Sequence, residues 1–370
     1  MARPGGATGR RQEAGRRALA GGLGAVLACA VVASAGCGAG TPSGPPKSVP
    51  RFLDAYVRPD GRVARPDQGG DTVSEGQAYG LLLAEANGDD SAFRRIWAWT
   101  RDHLELRSGL FAYHADAAGR VLSRQPASDA DVLIAWALLR YGGQGAAAMH
   151  RAGRQVAAAI LAHEVTTGPH GMPVLTAGPW ATGRPASLDP SYWSLTALQG
   201  LARLTGQQEW TRLASSAVSI TRTLTRNGRL LPPDWAALSS SGVLRAEPAP
   251  DGSQPQTQYG PDAQRTVVWF ATSCDAGVRK LAARWWPMLQ TANRAHALSL
   301  RPDGNVLNGT PAPLALVASA AAAHAAGDDH ATTDLLHGAT AVQRAHPTYY
   351  GGAWDALGSV LLTSRGLGAC

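Results

Sequence analysis

Apolar residues recur with the spacing of an α-helix along almost the whole chain after residue 50, and this pattern most constrains the fold. The stretch "SAFRRIWAWTRDHLEL" places Phe93, Ile96, Trp97 and Leu104 close to an i, i+3, i+4, i+7 stripe, which is typical of a helix with one buried face. The stretch "DADVLIAWALLRYG" is apolar on nearly all sides, which indicates a helix buried all round. Runs that alternate in the manner of strands are scarce.

About a dozen helical segments follow one another, and unusually long loops join them. These loops hold much of the Pro, Asp, Trp and Tyr content, as in "TAGPWATGRPASLDPSYW" and "AHPTYYGGAWDAL". Long loops in a compact domain tend to be functional. We therefore predict an all-α barrel whose site lies at one loop-rich end. An α-solenoid is the alternative, although the sequence has no fixed repeat period.

The first 36 residues read as an export signal. Five arginines precede the apolar run "ALAGGLGAVLACAVVASAGC", as in a secretory signal. Cys37 follows small residues of the kind that precede a lipidated cysteine, so a lipid tether to the membrane through Cys37 is one interpretation. A membrane anchor and twin-arginine export are the others, and all three place the protein outside the cytoplasm. Residues 37–50 are predicted to form a flexible tether.

The charge balance and the motif content exclude several classes of partner. The formal net charge is +7, and much of it lies in the first 36 residues. No long basic run with interleaved aromatics follows, so nucleic acid is not expected as a partner. There is no H-E-x-x-H, no paired-cysteine spacing and no acidic calcium loop, so neither a metal nor another cofactor is predicted. We expect a monomer.

Two cysteines remain once the signal region is set aside, Cys274 and Cys370. Such a pair in an oxidising compartment favours a disulfide. Two separate thiols are the alternative.

Carboxylates stand at the predicted starts of several helices, with aromatic residues beside them. Each one alone could be a helix cap or an acid that complements the helix dipole. Together they indicate a saccharide cleft, because sugar chemistry uses carboxylates for proton transfer and flat aromatic faces for stacking. The residues concerned are Glu75, Asp129, Asp131, Asp189 and Asp262, with Arg265 one turn after the last.

The same segments resemble glycoside hydrolase family 8. "VSEGQAYGLLLA" is similar to the SEG…YG motif of that family, and "ASDADVLIAWALL" to its A-[ST]-D-[AG]-D signature. "DPSYW", "PPDW", "DAQR" and "TYYGGAWDALG" follow in the family's order. The resemblance extends from about residue 51 to 365 and is closest to the endoglucanases that accompany bacterial cellulose synthases. It implies that residues 51–370 form an (α/α)6 barrel that hydrolyses β-1,4-glycans with inversion.

By this resemblance Glu75 is the general acid, Asp262 is the base, and Asp129 grips and distorts the sugar at the cleavage point. Arg265 would orient Asp262 and keep it ionised. Asp131 is assigned to substrate binding. Each aromatic candidate could equally be a core or rim residue. The aromatic candidates for stacking or hydroxyl contacts are Trp180, Tyr192, Trp235, Tyr259, Tyr349 and Tyr350.

Two positions depart from the family pattern. Pro261 stands directly before Asp262 where the family usually has Tyr, and Tyr259 lies two residues earlier. Either Tyr259 reaches the same point or the catalytic water is held less well. Tyr113 occupies a position where many members have Trp. We predict an exported endo-β-1,4-glucanase. The alternatives are the same fold acting on xylan or chitosan, or a weakly active glycan-binding barrel.

Overall fold

Six helices are buried on nearly all sides and stand next to one another in a closed ring. The protein is seen in a computed structural model that describes residues 45–364 and Leu367. Each of these helices contacts the next, and the last contacts the first. They are α2 Ser74–Ala86, α4 Ser128–Arg140, α6 Leu195–Thr205, α8 Pro261–Ala271, α12 Pro313–Ala326 and α14 Tyr349–Thr363.

A second set of helices surrounds this ring and buries only one face of each member. The stripe that begins at Phe93 is buried, as predicted, and packs this helix against α2. Each of the other long outer helices likewise packs on an inner partner. The outer helices are α1 Ser48–Tyr56, α3 Asp90–Leu104, α5 Ala146–His163, α7 Gln208–Leu224, α9 Ala276–Ala283 and α13 Asp329–Ala345, with the short α10 Trp286–Leu289 and α11 Ala292–Ala295 after α9. The predicted (α/α)6 barrel is confirmed, and the solenoid is excluded because the ring closes.

Short strands occupy the loops that lead into the inner helices. They form four small antiparallel sheets in the described part of the chain, in the orders β1-β2-β3, β4-β5, β6-β7-β8 and β9-β10. With two to six residues each, they are too short to show a clear alternating pattern. They are β1 Thr72–Val73, β2 His114–Ala115, β3 Val121–Ser123, β4 Val165–Thr167, β5 Pro173–Leu175, β6 Ala186–Leu188, β7 Trp235–Leu238, β8 Leu244–Glu247, β9 Ala297–Leu300 and β10 Val306–Pro311.

The amino ends of the inner helices meet at the end of the barrel that carries these loops. Glu75, Asp129 and Asp262 each stand in the first turn of their helix. The aligned peptide dipoles make that end of each helix partly positive, which favours negative charge there. The barrel therefore collects carboxylates at one end.

The structure corrects the predicted tether and tests part of the cysteine pairing. Helix α1 begins at Ser48 and buries Val49 and Phe52, so the last three residues of the segment 37–50 belong to the barrel. The signal region and Cys37 lie outside the described residues. Cys274 is disulfide-bonded, whereas its predicted partner Cys370 lies outside them, so the pairing stays a prediction. Across residues 45–364, no helix has both the length and the apolar character needed to cross a membrane.

Candidate active site

A cleft of about 440 Å³ opens among the loops at the amino ends of the inner helices. Glu75, in the first turn of α2, and Asp262, in the first turn of α8, both line this cleft. Aromatic side chains and a loop that follows β8 form much of the remaining wall. The aromatic residues are Tyr113, Trp180, Tyr192 and Trp235, and the loop residues are Ala249, Pro250, Asp251, Ser253 and Gln254.

One buried guanidinium connects the carboxyls at the floor of the site. Arg265 projects from the first turns of α8, and its side chain is only 2% exposed. Its Nη1 donates to Asp129 Oδ2 at 2.8 Å and lies 3.4 Å from Glu75 Oε2. Its Nη2 donates to Asp262 Oδ1 at 2.9 Å and lies 3.9 Å from Asp189 Oδ2. Four carboxyls therefore share one cation.

Four carboxyls around one cation leave an excess of negative charge, which favours the protonated form of Glu75. Burial raises the pKa of Glu75 to about 7, and the charges of Asp129 and Asp262 add to the rise. Arg265 opposes it, but its contact with Glu75 is longer than those with Asp129 and Asp262. Glu75 can thus retain a proton close to neutral pH in the cleft, as a general acid must.

Asp189 and Tyr192 close the site on the side of α6. Asp189 Oδ1 accepts from the backbone N of Ser191 at 2.8 Å, and its Oδ2 has no hydrogen-bond partner among the described residues. Burial and the charge of Asp262 raise the pKa of Asp189 well above its usual range. The ring of Tyr192 lies against Arg265, with the guanidinium carbon 5.3 Å from the ring centroid. The surroundings of Asp189 therefore favour its protonated form.

Three of the predicted aromatics form a continuous wall. Trp180 is 42% exposed and its Nε1 donates to Pro126 O at 3.0 Å, which fixes the ring. The ring centroid of Trp235 lies 6.4 Å from that of Trp180 and 6.2 Å from that of Tyr192. A wall of tilted rings beside ionisable groups is suited to stacking against sugar faces. Tyr113, 39% exposed, stands near Glu75 and contributes another ring.

Tyr349 and Tyr350 do not line this cleft. Tyr349 is 2% exposed and packs edge-on against Tyr56 with centroids 5.8 Å apart. A stacking role for Tyr349 is therefore wrong, because its ring is enclosed by α1 and α14. The Oη of Tyr350 donates to Pro261 O at 3.3 Å, which places Tyr350 behind the first turn of α8. It lines a separate apolar groove of about 710 Å³.

Tyr259 and Asp131 are also buried away from the cleft. Tyr259 is 2% exposed, exchanges two backbone hydrogen bonds with Leu300, and leaves its Oη without a partner. It does not reach the position predicted for a water-holding tyrosine, because this pairing turns its ring inward. Asp131 is fully buried, and its Oδ1 accepts from the backbone N of Phe111 at 2.9 Å. A direct sugar contact by Asp131 is wrong for that reason.

Asp131 instead belongs to a buried pair of carboxyls with Glu164. Both side chains are fully buried, and neither Asp131 Oδ2 nor either carboxyl oxygen of Glu164 has a hydrogen-bond partner among the described residues. Burial raises the pKa of both groups well above the usual range, and the charge of Asp129 adds to the rise. Two neighbouring carboxyls in a dry interior favour at least one protonated group, because two buried negative charges would repel each other.

We expect this pair to limit stability on the alkaline side. Because the folded-state pKa values lie above the unfolded ones, the stabilisation is complete at low pH and is lost as pH rises through the folded values. Glu164→Gln should flatten this decline, since an amide removes one buried titrating group. Chemical denaturation from acidic to alkaline pH measures the effect. Exposed Glu247 is the control, and Glu247→Gln should keep the wild-type slope. Equal slopes for all three proteins would contradict a contribution of Glu164 to this pH dependence.

The sequence left the roles of three site residues unassigned. Tyr79 is fully buried and its Oη accepts from Arg265 Nη1 at 3.3 Å. Glu164 stands at the end of an outer helix, where nothing in the sequence marks it. Asp234 belongs to the quoted "PPDW" motif without an assigned role. Burial and the charge of Asp262 raise the pKa of Asp234 to about 7, although four hydrogen-bond donors face it.

No cluster of three or more His, Cys, Asp or Glu side chains within residues 45–364 could hold a metal ion.

Comparisons with known proteins agree with this arrangement. The family model described as "Glycosyl hydrolases family 8" matches residues 24–360. An endoglucanase of Cellulomonas uda is 32% identical over 200 residues, which is 52% of this chain and 55% of that protein. The match therefore spans about half the length of this curated relative.

Solved structures share the fold. The endo-β-1,4-glucanase CMCax of Acetobacter xylinum superposes with a TM-score of 0.70 at 24% identity, over 85% of this chain and 96% of that one. A β-1,3-1,4-glucanase of Paenibacillus sp. X4 gives a TM-score of 0.74 at 19% identity, over 87% and 94% of the two chains. At these identities the likeness concerns the fold alone.

Proposed function

The chain belongs to glycosyl hydrolase family 8, and from this membership we propose that it is an inverting endo-β-1,4-glucanase. The arrangement that supports this function is the contact of one buried guanidinium with two carboxyls that line the same cleft. Arg265 lies 2.9 Å from Asp262 and 3.4 Å from Glu75. Glu75, with a pKa of about 7, is suited to give a proton, and Asp262 is suited to take one.

The mechanism uses these two groups on opposite sides of the scissile bond. Glu75 donates its proton to the glycosidic oxygen as the bond from that oxygen to C1 breaks. Asp262 removes a proton from a water, and the oxygen of this water forms the new bond to C1 from the opposite face. The anomeric configuration is thereby inverted. For a water to fit, the two carboxyls must stand roughly 6.5–9.5 Å apart in the working enzyme.

Asp129 is proposed to hold the sugar at the cleavage point. It is 2% exposed, and both of its oxygens accept hydrogen bonds, Oδ2 from Arg265 and Oδ1 from the backbone N of Ala130 at 2.8 Å, although burial raises its pKa. A carboxylate fixed in this way can accept from a sugar hydroxyl and favour a distorted ring, which contributes to the rate in inverting enzymes. Arg265 keeps the group in place.

The substrate class is proposed to be β-1,4-glucan. The printed names of the relatives describe endoglucanases, and the wall of Trp180, Tyr192 and Trp235 offers faces for consecutive sugars. Xylan and chitosan are the alternatives on the same fold. A weakly active binding barrel is the other alternative, and Pro261 motivates it. The basic and apolar amino-terminal residues support export, with lipidation at Cys37 as one route to the outer membrane face.

Product stereochemistry tests the proposal directly. Proton NMR of the anomeric signals in the first minutes of hydrolysis of a soluble cello-oligosaccharide should show the α-anomer appearing first. The physical reason is attack by water from the face opposite the departing sugar. A β-anomer as first product would contradict inversion. Parallel assays on carboxymethyl cellulose, xylan and chitosan assign the substrate, and inactivity on all three would favour the binding barrel.

A further inference from the structure

Asp234 is a fully buried carboxyl that accepts four hydrogen bonds. Its Oδ1 accepts from the backbone N of Gly260 at 2.8 Å and from that of Ala263 at 2.7 Å. Its Oδ2 accepts from Gln254 Nε2 at 2.9 Å and from Gln258 Nε2 at 3.0 Å. All four partners donate, so the ionised carboxylate is the form that satisfies them.

The Oδ1 contacts hold the helix turn that carries Asp262. The residues at the start of an α-helix have free N–H groups, which a capping side chain usually accepts from within the turn. Here the preceding residue is Gly260, which has no side chain, and Pro261 has no N–H. Asp234, which lies 26 residues before Gly260 in the chain, takes the place of a local cap. It binds the backbone N of Gly260 and of Ala263, the two residues that flank Pro261 and Asp262.

The Oδ2 contacts hold the opposite wall of the cleft. Gln254 lines the cleft, and Gln258 also accepts from the backbone N of Asp234 through its carbonyl at 2.9 Å. The residue after Asp234 is Trp235, the central ring of the aromatic wall. One carboxylate thus joins the helix turn of Asp262, the cleft loop and the start of β7.

Gly260 lies so close to Asp234 that a larger residue would fit only if neighbouring side chains moved. A Cβ added to Gly260 would collide with Asp234 Oδ2 and with the amide of Gln258. The φ of Gly260 is −120°, a backbone conformation that any residue adopts. Glycine is therefore required by the closeness of Asp234 and not by the backbone angle.

We infer that Asp234 is a positioning residue for Asp262, because it fixes the first turn of α8 against the cleft wall. This role rests on the proposed function of Asp262 as the base. A general base must stand within hydrogen-bond reach of its water, and a displacement of about 1 Å in such a group costs about 100-fold in rate. Helix α8 has no local side-chain cap, so the bonds from Gly260 and Ala263 to Asp234 restrain its first turn instead.

The experiment compares Asp234→Ala and Asp234→Asn with the wild-type enzyme on a soluble cello-oligosaccharide. Asp234→Ala should lower kcat about 10- to 100-fold and change KM less than about threefold, since the bond from Trp180 to Pro126 and the pairing of β7 with β6 and β8 hold the aromatic wall without Asp234. Asp234→Asn should recover most of kcat, because its carbonyl oxygen accepts from Gly260 and Ala263, and the two glutamine amides can turn to accept from its nitrogen.

A matched cap elsewhere controls for stability. Asp328 accepts from the backbone N of Ala331 at 3.0 Å and caps outer helix α13. Asp328→Ala should lower the melting temperature and leave kcat unchanged. Gly260→Ala is the second perturbation of the junction and should lower kcat while Asp234 itself is intact. Its effect should become smaller in the Asp234→Ala background, where the colliding carboxyl is gone.

A double-mutant cycle with Asp262→Asn separates this inference from the proposed function. If Asp234 acts through the base, Asp234→Ala should lower kcat less than about twofold once Asp262 is Asn. Equal losses in both backgrounds, an unchanged kcat in Asp234→Ala, or an Asn variant as slow as Ala would overturn the inference. Near-wild-type activity of Asp262→Asn alone would instead overturn the role of Asp262 as base.

Discussion

Glu75→Gln is expected to lower kcat on β-1,4-glucan at least about 100-fold, the size of a general-acid contribution. The amide fills the same space but has no proton to give to the departing oxygen. Glu75 is the carboxyl at which burial and two negative neighbours raise the pKa to about 7, so the wild-type group is protonated on the acid side of that value. Sugar binding should survive, and steady-state kinetics with an independent binding assay measure both quantities.

The control for this prediction is a substrate that needs no acid. In a nitrophenyl cello-oligosaccharide the leaving group departs as a stable nitrophenolate anion without receiving a proton. Glu75→Gln should therefore lose far less activity on this substrate. Asp262→Asn should be equally impaired on both substrates, because the attacking water still needs a base. A Glu75→Gln variant that loses the same factor on both substrates would show that Glu75 is not the acid.

The pH profile gives the same residue a second signature. Activity should hold at pH values below about 7 and fall as pH rises through the pKa of Glu75, since the deprotonated form cannot donate. This alkaline limb should disappear in Glu75→Gln, leaving a low activity that is independent of pH on that side. An alkaline limb that persists in the variant would assign it to another group.

An all-α barrel could be predicted from the helical spacing of apolar residues and from the long loops, whereas its (α/α)6 form came from the resemblance to the family. Helix α4 is surrounded by protein and is therefore apolar on nearly all sides, whereas α3 buries one stripe. Within the described residues, six inner helices and six long outer helices form the double ring. The short strands could not be predicted, because strands of two to six residues are held by pairing across the loops rather than by their own pattern.

Glu75, Asp129 and Asp262 are candidates from the sequence because each stands at a predicted helix start, and their individual roles come from the resemblance to the family. The structure brings all three carboxyls to Arg265. Side-chain direction within a loop or turn does not follow from the sequence. Tyr259 and Tyr349 are buried for that reason, although their residue type suits a sugar cleft.

Contacts between distant segments account for the roles that remained unassigned. Asp234 caps a helix that begins 27 residues later, so no local capping pattern reveals it. Glu164 ends outer helix α5 and pairs with Asp131 only because the barrel brings them together. Both are polar groups that become significant through burial, and burial depends on the whole fold.

Arg265→Met is expected to abolish most activity at neutral pH, with kcat lowered at least about 100-fold, as for the loss of an acid–base group. Arg265 is the cation shared by four carboxyls, at 2.8 Å from Asp129, 2.9 Å from Asp262, 3.4 Å from Glu75 and 3.9 Å from Asp189. Without it the pKa of Glu75 rises further, because Arg265 lowers it in the wild-type protein. Asp262 also loses the donor that fixes its Oδ1, so it no longer holds the attacking water in position.

The direction of the pH shift distinguishes this electrostatic role from loss of packing. Removing a positive charge raises the pKa of Glu75, which Arg265 lowers in the wild-type protein, so the alkaline limb of the kcat/KM profile should move toward higher pH. Stability should fall most where the carboxyls are ionised, by up to about 3–5 kcal/mol as for a buried charge left unpaired, and least at low pH. Arg265→Lys keeps the charge but cannot bridge two carboxyls, so it should lose rate with a much smaller shift.

Arg140 offers a matched cation away from the site, since it pairs with Glu85 at 3.1 Å and its side chain is 18% exposed. Arg140→Met should lower stability without moving the pH profile, because its partner does not line the cleft. A profile of Arg265→Met that stays in place, or that moves toward acidic pH, would contradict the view that Arg265 sets the protonation of the site. In that case its contacts with Asp129 and Asp262 would serve geometry alone, and Arg265→Lys would be as impaired as Arg265→Met.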